Sequence, residues 1–390
     1  MPTVSRSHPA GPGHTARVGA GGYCVVTAVL PAYRRLFLAE LDRQAPGAGI
    51  FYAGSAQFDA SVRTGVTAGT YRPVDNVYLL GRRLLVQRGT FLAGLLAGTT
   101  VVDLNPRSLT AWAVLAARAG LRRRVLVWGH VHPRAGRDSR TAGARRLMRT
   151  LADGTITYTV TDRDQVLATE RAGGVWAAPN ALFTSAMLTS PEVQRRRVDI
   201  LYVGRLEAPK RVGLLVEAFA LALPRLPSDT RLVLVGDGRE RPTLQRRVDE
   251  LHLGARVRFV GYCADVDPLR SIYAGAACSV SPGYVGLSLT QSLGFGVPMI
   301  VADDEPHAPE VELATPTTVT WFRSRDVDDL AAKLVDACGH PPSDSVRARI
   351  GSSVLRNYTA DRMAAGFLDA VLGPRRVSDI RSRGHGSVTS

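Results

Sequence analysis

The chain has 390 residues, 45% hydrophobic and 21% charged, and carries a formal net charge of +15. That length exceeds one ordinary core and predicts two domains, while no apolar run reaches the roughly 20 residues that cross a bilayer as a helix. Four cysteines without Cys-x-x-Cys or Cys/His spacing argue against a disulfide framework and a zinc site and fit a cytoplasmic setting. Residues 1–22 are rich in Gly, Pro, Ser and His and lack the apolar centre of a signal peptide, so a disordered leader is expected there. From 23 onward, short β-rich runs alternate with amphipathic stretches, the pattern of parallel sheets with crossover helices. Strands are predicted at 23–30, 49–53, 99–104, 124–128, 155–158 and 175–177, with helices at 32–42, 109–119, 141–151 and 162–169. A polar, Arg-rich stretch at 194–197 makes a credible linker, after which the pattern restarts. Strands follow at 199–203, 231–235, 257–260, 277–280 and 299–301, and helices at 213–223, 239–251, 267–274 and 289–295. The expected division is 23–193, 198–355, a C-terminal helix at 356–372 returning to the first domain, and a loose tail at 373–390.

The charge admits nucleic acid, an anionic membrane or a phosphorylated substrate as partner. No helix-turn-helix spacing, aromatic ribonucleoprotein-type strand or basic-plus-heptad run supports nucleic acid. The strongest local signal is Gly204-Arg205-Leu206-Glu207-Ala208-Pro209-Lys210, directly after the strand at 199–203. Glycine permits the tight turn, and two cations five residues apart can converge on one anion at the next helix start. Such groups stabilise charge developing on a departing phosphate. Gly236-Asp237-Gly238, then Val257 to Gly261 with Tyr262, then Gly286-Leu287 and Gly296-Val297-Pro298 follow in order. Turn chemistry alone, or a helix cap by Asp237, accounts for each piece singly.

This ordered series resembles the donor domain of the retaining GT-B glycosyltransferases, family four in particular, closely over about 198–335 and loosely before that. The resemblance implies an α/β GT-B fold, two Rossmann-like domains facing across a cleft. It implies transfer of a sugar from a nucleoside diphosphate sugar to a hydroxyl acceptor, with no metal and no further cofactor. By residue, it places the diphosphate on Arg205 and Lys210 beside Gly204, the nucleotide near Gly236, Asp237 and Gly238, and the base at Tyr262. It brings the amides of Gly286 and Leu287 to the phosphates and sugar. Where such enzymes carry two glutamates eight apart, this chain has Gly283 and Gln291. Gln291 can still hydrogen-bond a ribose; Gly283 cannot replace a carboxylate. A subset of the family has a Pro-Gly-x-Val-Gly-Leu loop, and 282–287 looks like it. The acidic run at 303–312 then becomes the candidate for sugar recognition, with Glu310 foremost and Asp303-Asp304 a pair easily mistaken for metal ligands.

In the first half, His130, beyond the strand at 124–128, matches the family histidine at the reaction centre, with His132 as alternative. Pro179-Asn180-Ala181 resembles the element preceding the linker. Arg34 or Arg35 could contact a phosphate-bearing acceptor. Arg145, Arg146 and Arg149 are predicted to form a basic helix face, solvated or set against an anionic membrane leaflet. Two rival activities share these features: a nucleotide-sugar epimerase on the same fold, and a degenerate module that only binds.

Overall fold

The computed structural model describes residues 22–58, 62–132, 140–170, 173–189 and 196–373. All but residue 22 of the leader expected at 1–22, all but residue 373 of the tail expected at 373–390, and residues 194 and 195 of the linker lie outside them. The first half contains β1 (Tyr23–Thr27), α1 (Arg35–Gln44), β2 (Gly49–Ala53), β3 (Arg72–Pro73), β4 (Asn76–Leu79), β5 (Leu84–Gln87) and α2 (Phe91–Leu96). It continues with β6 (Thr99–Asp103), α3 (Leu109–Gly120), β7 (Val125–Gly129), α4 (Ala142–Leu151), β8 (Gly154–Thr157), α5 (Val160–Thr169), β9 (Gly174–Ala177) and α6 (Ser185–Thr189). Seven of these strands form one sheet in the order β3-β2-β1-β6-β7-β8-β9, and β4-β5 pair as a separate hairpin.

The second half contains β10 (Asp199–Val203), α7 (Val212–Ala222), β11 (Leu232–Val235), α8 (Arg241–Glu250), β12 (Val257–Gly261), α9 (Val266–Ala274) and β13 (Ala276–Ser281). It ends with α10 (Leu287–Gly294), β14 (Met299–Ala302), β15 (Val319–Phe322), α11 (Val327–Gly339), α12 (Asp344–Leu355) and α13 (Ala360–Leu372). Its six strands run in the order β12-β11-β10-β13-β14-β15, all pairs parallel. In each sheet the strand order reverses beside the first strand, leaving a crevice at the carboxyl ends where ligands bind.

Strands covered by helices on both faces need continuous apolar runs rather than alternation. Leu232-Val233-Leu234-Val235 of β11 supplies one and is buried throughout. The last helix, α13, belongs to the first core: Phe367 is buried against Phe37 and Trp128, with ring centres 5.6 and 5.0 Å away. The chain therefore crosses between the halves twice, which limits how far they can separate.

No described helix is long and apolar enough to cross a membrane. The basic face expected on α4 does not form as three parallel arginines. Arg145 turns inward to the carbonyls of Leu104 and His130, at 2.5 and 2.9 Å. Arg149 is buried and forks onto Glu170. Only Arg146 of the three is exposed, beside exposed Leu147. Open backbone carbonyls of the loops after β6 and β7 draw in the Arg145 guanidinium, and the Glu170 carboxylate draws in that of Arg149.

Candidate functional site

Three loops at the carboxyl ends of β10, β11 and β12 are stitched to one another through the backbone. The Gly204 amide donates to Val235 O (2.9 Å), the Leu206 amide to Asp237 O (2.9 Å) and the Gly236 amide to Gly261 O (2.8 Å). Gly236 has φ +137° and lies so close to Gly204 that a Cβ would overlap its carbonyl oxygen. Only glycine satisfies both demands. The Tyr202 hydroxyl donates to Arg205 O at 2.8 Å and fixes the turn from below. Arg205 thus leaves a rigid turn with its side chain exposed.

These loops form one wall of a cavity of about 980 Å³ between the two halves. Gly204, Arg205, Gly236, Asp237, Tyr262, Leu287 and Gln291 line it from the second half, and Tyr33, Arg35 and Gly65 from the first. Tyr262 is 81% exposed, an aromatic ring left open at the rim. Gln291 is only 8% exposed; among the described residues its side-chain amide has no hydrogen-bond partner, and it faces the cavity from α10.

Six expected site residues lie outside this lining: Lys210, Gly238, Gly283, Gly286, His130 and Glu310. The Lys210 ammonium donates to Tyr284 O at 2.8 Å and sits 3.7 Å from the centre of that residue's ring. It braces the 283–287 loop. Gly286 caps α10, whose next residues, Leu287 and Ser288, reach the cavity. Asp237 caps no helix; its carboxylate accepts from the Gly238 amide at 2.8 Å and lies 3.5 Å from Arg241.

In the acidic run at 303–312, Asp303 and Asp304 are exposed while Glu305, Glu310 and Glu312 are bonded to the protein. Asp303 accepts from the Ser324 amide (2.9 Å), which holds its carboxyl below the usual range. Glu305 pairs with Arg211. Glu312 accepts from the Val160 and Thr161 amides at 3.0 and 2.9 Å, capping α5 from the opposite half; a carboxylate is favoured at that end of a helix. Among the described residues no group of three or more His, Cys, Asp or Glu is placed to hold a metal ion.

Glu310 also reaches across the halves, accepting from the side-chain Nδ2 of Asn180 at 3.2 Å, and is 3% exposed. Its second oxygen has no partner. Burial raises its pKa above the ordinary glutamate value, opposed by the bond from Asn180 and the charge of Arg34. An acid whose folded pKa is raised holds its proton longer folded than unfolded, so stability falls as pH climbs from the ordinary value through the raised one. Glu310→Gln is therefore expected to be at least as heat-stable as wild type at neutral pH, with the advantage vanishing below that interval. Melting curves of both proteins across pH check this; a Gln variant destabilised at every pH would contradict it.

In the first half, His130 stands edge-on to Tyr158, ring centres 4.7 Å apart, and His132 contacts Gln165 at 3.2 Å. Arg34 is not an acceptor contact. It is 5% exposed, lying 4.6 Å from the Trp128 ring centre and 5.3 Å from that of Tyr158, and its guanidinium meets the Met363 sulfur of α13 at 3.4 Å. A planar, weakly hydrated cation is suited to such stacking. Arg35, one residue on, is the exposed member and faces the cavity.

Sequence reading missed Ser288 and the Cys263 to Asp267 segment that leads into α9, all of which line the cavity. Position immediately after β12 was the available signal for the last.

Residues 197–340 match the family model described as Glycosyl transferases group 1. The structure resembles the apo form of the lipopolysaccharide outer core galactosyltransferase WaaB, with a TM-score of 0.61 at 14% identity, covering 90% of this chain and 99% of that one. The fold is GT-B. In sequence, the chain is 31% identical over 116 residues to the UDP-N-acetylglucosamine–peptide N-acetylglucosaminyltransferase GtfA subunit of Streptococcus parasanguinis, covering 30% of this chain and 23% of that one. It is 28% identical over 143 residues to the alpha-D-kanosaminyltransferase of Streptomyces kanamyceticus, covering 36% and 37%. The chain thus matches between about a quarter and two fifths of the length of these curated relatives, and the glycosyl transferases group 1 match lies in the GT-B half that carries Arg205 and Gln291.

Proposed function

We propose that this chain is a glycosyltransferase that moves a sugar from a nucleoside diphosphate sugar to a hydroxyl acceptor, with retention at the anomeric carbon and without a metal ion. The observation that carries this reading is the cavity between the halves, into which Arg205 projects from a fixed strand-exit turn. The names of the sequence relatives, both sugar transferases, support it. Arg205 and the amides at the start of α10 hold the diphosphate; Gln291 takes the ribose and Tyr262 the base. Acceptors enter past Tyr33 and Arg35. Negative charge grows on the phosphate oxygen as the bond to the sugar breaks, and Arg205 stabilises it there. In the retaining course the acceptor hydroxyl attacks from the face the phosphate leaves, and its proton passes to that phosphate oxygen.

The ribose does not change charge during transfer, so its contact acts about equally on ground and transition states. Gln291→Ala is expected to raise donor KM by the equivalent of about 0.5–1.5 kcal/mol, with kcat nearly unchanged. Steady-state kinetics against donor concentration read the split, and a fall in kcat alone would refute the ribose assignment.

A thermal-shift screen of UDP-, GDP-, ADP- and dTDP-sugars tests the donor claim, because a ligand bound only by the native state stabilises it by about 2.7 kcal/mol at 100 times Kd. UDP-sugars come first, since one relative's name carries that donor. Stabilisation by none of the four removes the proposal. Conversion of a labelled donor without any acceptor would favour the epimerase reading instead.

A further inference from the structure

We propose that His307 is a positioning residue, fixing the 283–287 loop and the start of α10 at the cavity by accepting a hydrogen bond from the Val285 amide. Its effect on ligand affinity rests on the donor reading above; its effect on the loop does not.

The geometry assigns the tautomer. Nε2 of His307 lies 2.8 Å from Ala302 O, and a carbonyl can only accept, so Nε2 carries the hydrogen. Nδ1 is then a bare acceptor, 3.1 Å from the Val285 amide. The neighbouring Ala308 amide donates back to Val285 O at 2.9 Å. Both backbone groups of Val285 are thus gripped by residues 307 and 308, and the His307 ring is anchored on Ala302, the last residue of β14. Val285 is fully buried, so water cannot replace a lost partner, and an unpaired buried amide is costly. One residue later Gly286 caps α10, and Leu287 and Ser288 meet the cavity. A shift at Val285 therefore moves the cavity wall.

Protonation would make both ring nitrogens donors and break the bond to Val285. The ring is half-buried, and burial holds its pKa below the ordinary histidine value; Lys210 acts in the same direction, while Glu305 and the Ala302 carbonyl oppose it. Trp321 of β15 packs against the ring at 5.8 Å and carries no charge. The folded pKa being lowered, the brace is complete above the ordinary histidine value and is lost as pH falls through the lowered one.

Asparagine places an oxygen where Nδ1 stood, whereas glutamine reaches the Nε2 position and leaves Val285 unpaired. The test is hydrogen–deuterium exchange of the 283–289 segment in the ligand-free full chain, with calorimetric titration of UDP, GDP, ADP and dTDP. At neutral pH His307→Asn is expected to keep slow loop exchange and nucleotide affinity within about threefold of wild type. His307→Gln and His307→Ala should speed loop exchange and weaken the best nucleotide by about tenfold. On acidification wild-type loop exchange should rise relative to the Asn variant, which has no group titrating there. Should the Ala variant fail to fold, the Asn–Gln contrast decides. Wild-type exchange in the Gln variant, or loss in Asn with retention in Gln, overturns the brace. The expected exchange pattern without binding of any of the four nucleotides leaves the brace standing and sinks the donor reading alone.

Discussion

Replacing Arg205 by alanine is expected to lower kcat/KM for the donor by about 10²-fold or more while the protein stays folded. The side chain is exposed and lines the cavity, so its removal opens no hole in a core. Among the described residues Arg205 forms no ion pair, whereas Arg211, Arg149 and Arg247 are all engaged with glutamates. Its backbone is held by the Tyr202 hydroxyl, which pre-aims the charge and removes reorganisation at the moment of bond cleavage. Arg205→Lys keeps the charge but not the planar fork that matches two phosphate oxygens, and should recover only part of the loss. The measurement is steady-state kinetics with the donor found by thermal shift, beside a melting curve. Wild-type turnover from folded Arg205→Ala would remove the central assignment.

The second large effect concerns Gly283, which stands where the family that the sequence resembles usually carries a glutamate. Reintroducing that carboxylate with Gly283→Glu is expected to cut activity by about 10²-fold rather than improve it. A Cβ at this position would overlap the Pro209 carbonyl oxygen and stand 3.1 Å from the Lys210 carbonyl carbon. Both are backbone atoms of the turn that follows Arg205, so the clash cannot be relieved by rotating a side chain. The 283–287 loop would have to back away, carrying Tyr284 off the Lys210 ammonium and Val285 off His307. Gly283→Ala separates the causes: it brings the same Cβ without charge, and overpacking of this kind costs about 1–3 kcal/mol. Comparable losses in Ala and Glu identify sterics as the reason. A Glu variant more active than wild type would show that the loop has room and that the geometry argument fails.

Parallel strands buried on both faces were legible because they must be continuous apolar runs. Hence β10, β11 and β7 stand within a residue or so of their expected places. The strand predicted at 23–30 stops at Thr27, because Ala28 leaves the sheet to donate to Asp103 at 2.7 Å. The hairpin of β4 and β5 and the helix α2 went unread. They are short, and their pattern is set by packing on the sheet edge rather than by their own periodicity.

By itself the sequence determined the α/β alternation, the restart after 197 and the glycines of the β10–β12 loops. Those are local demands: apolar continuity, turn conformation and close backbone approach are written in adjacent residues. Arg205 was marked by its place at a strand exit, Tyr262 and Gln291 by the resemblance to a family, and all three line the cavity. What only tertiary structure decided is where the remaining charges go. Lys210 reaches Tyr284, Arg34 enters a ring cluster, Arg145 and Arg149 turn inward, and Glu310 and Glu312 cross to the other half. A long charged side chain takes whichever carbonyl, ring, sulfur or helix end the fold brings within reach, and those partners are up to 329 positions away along the chain.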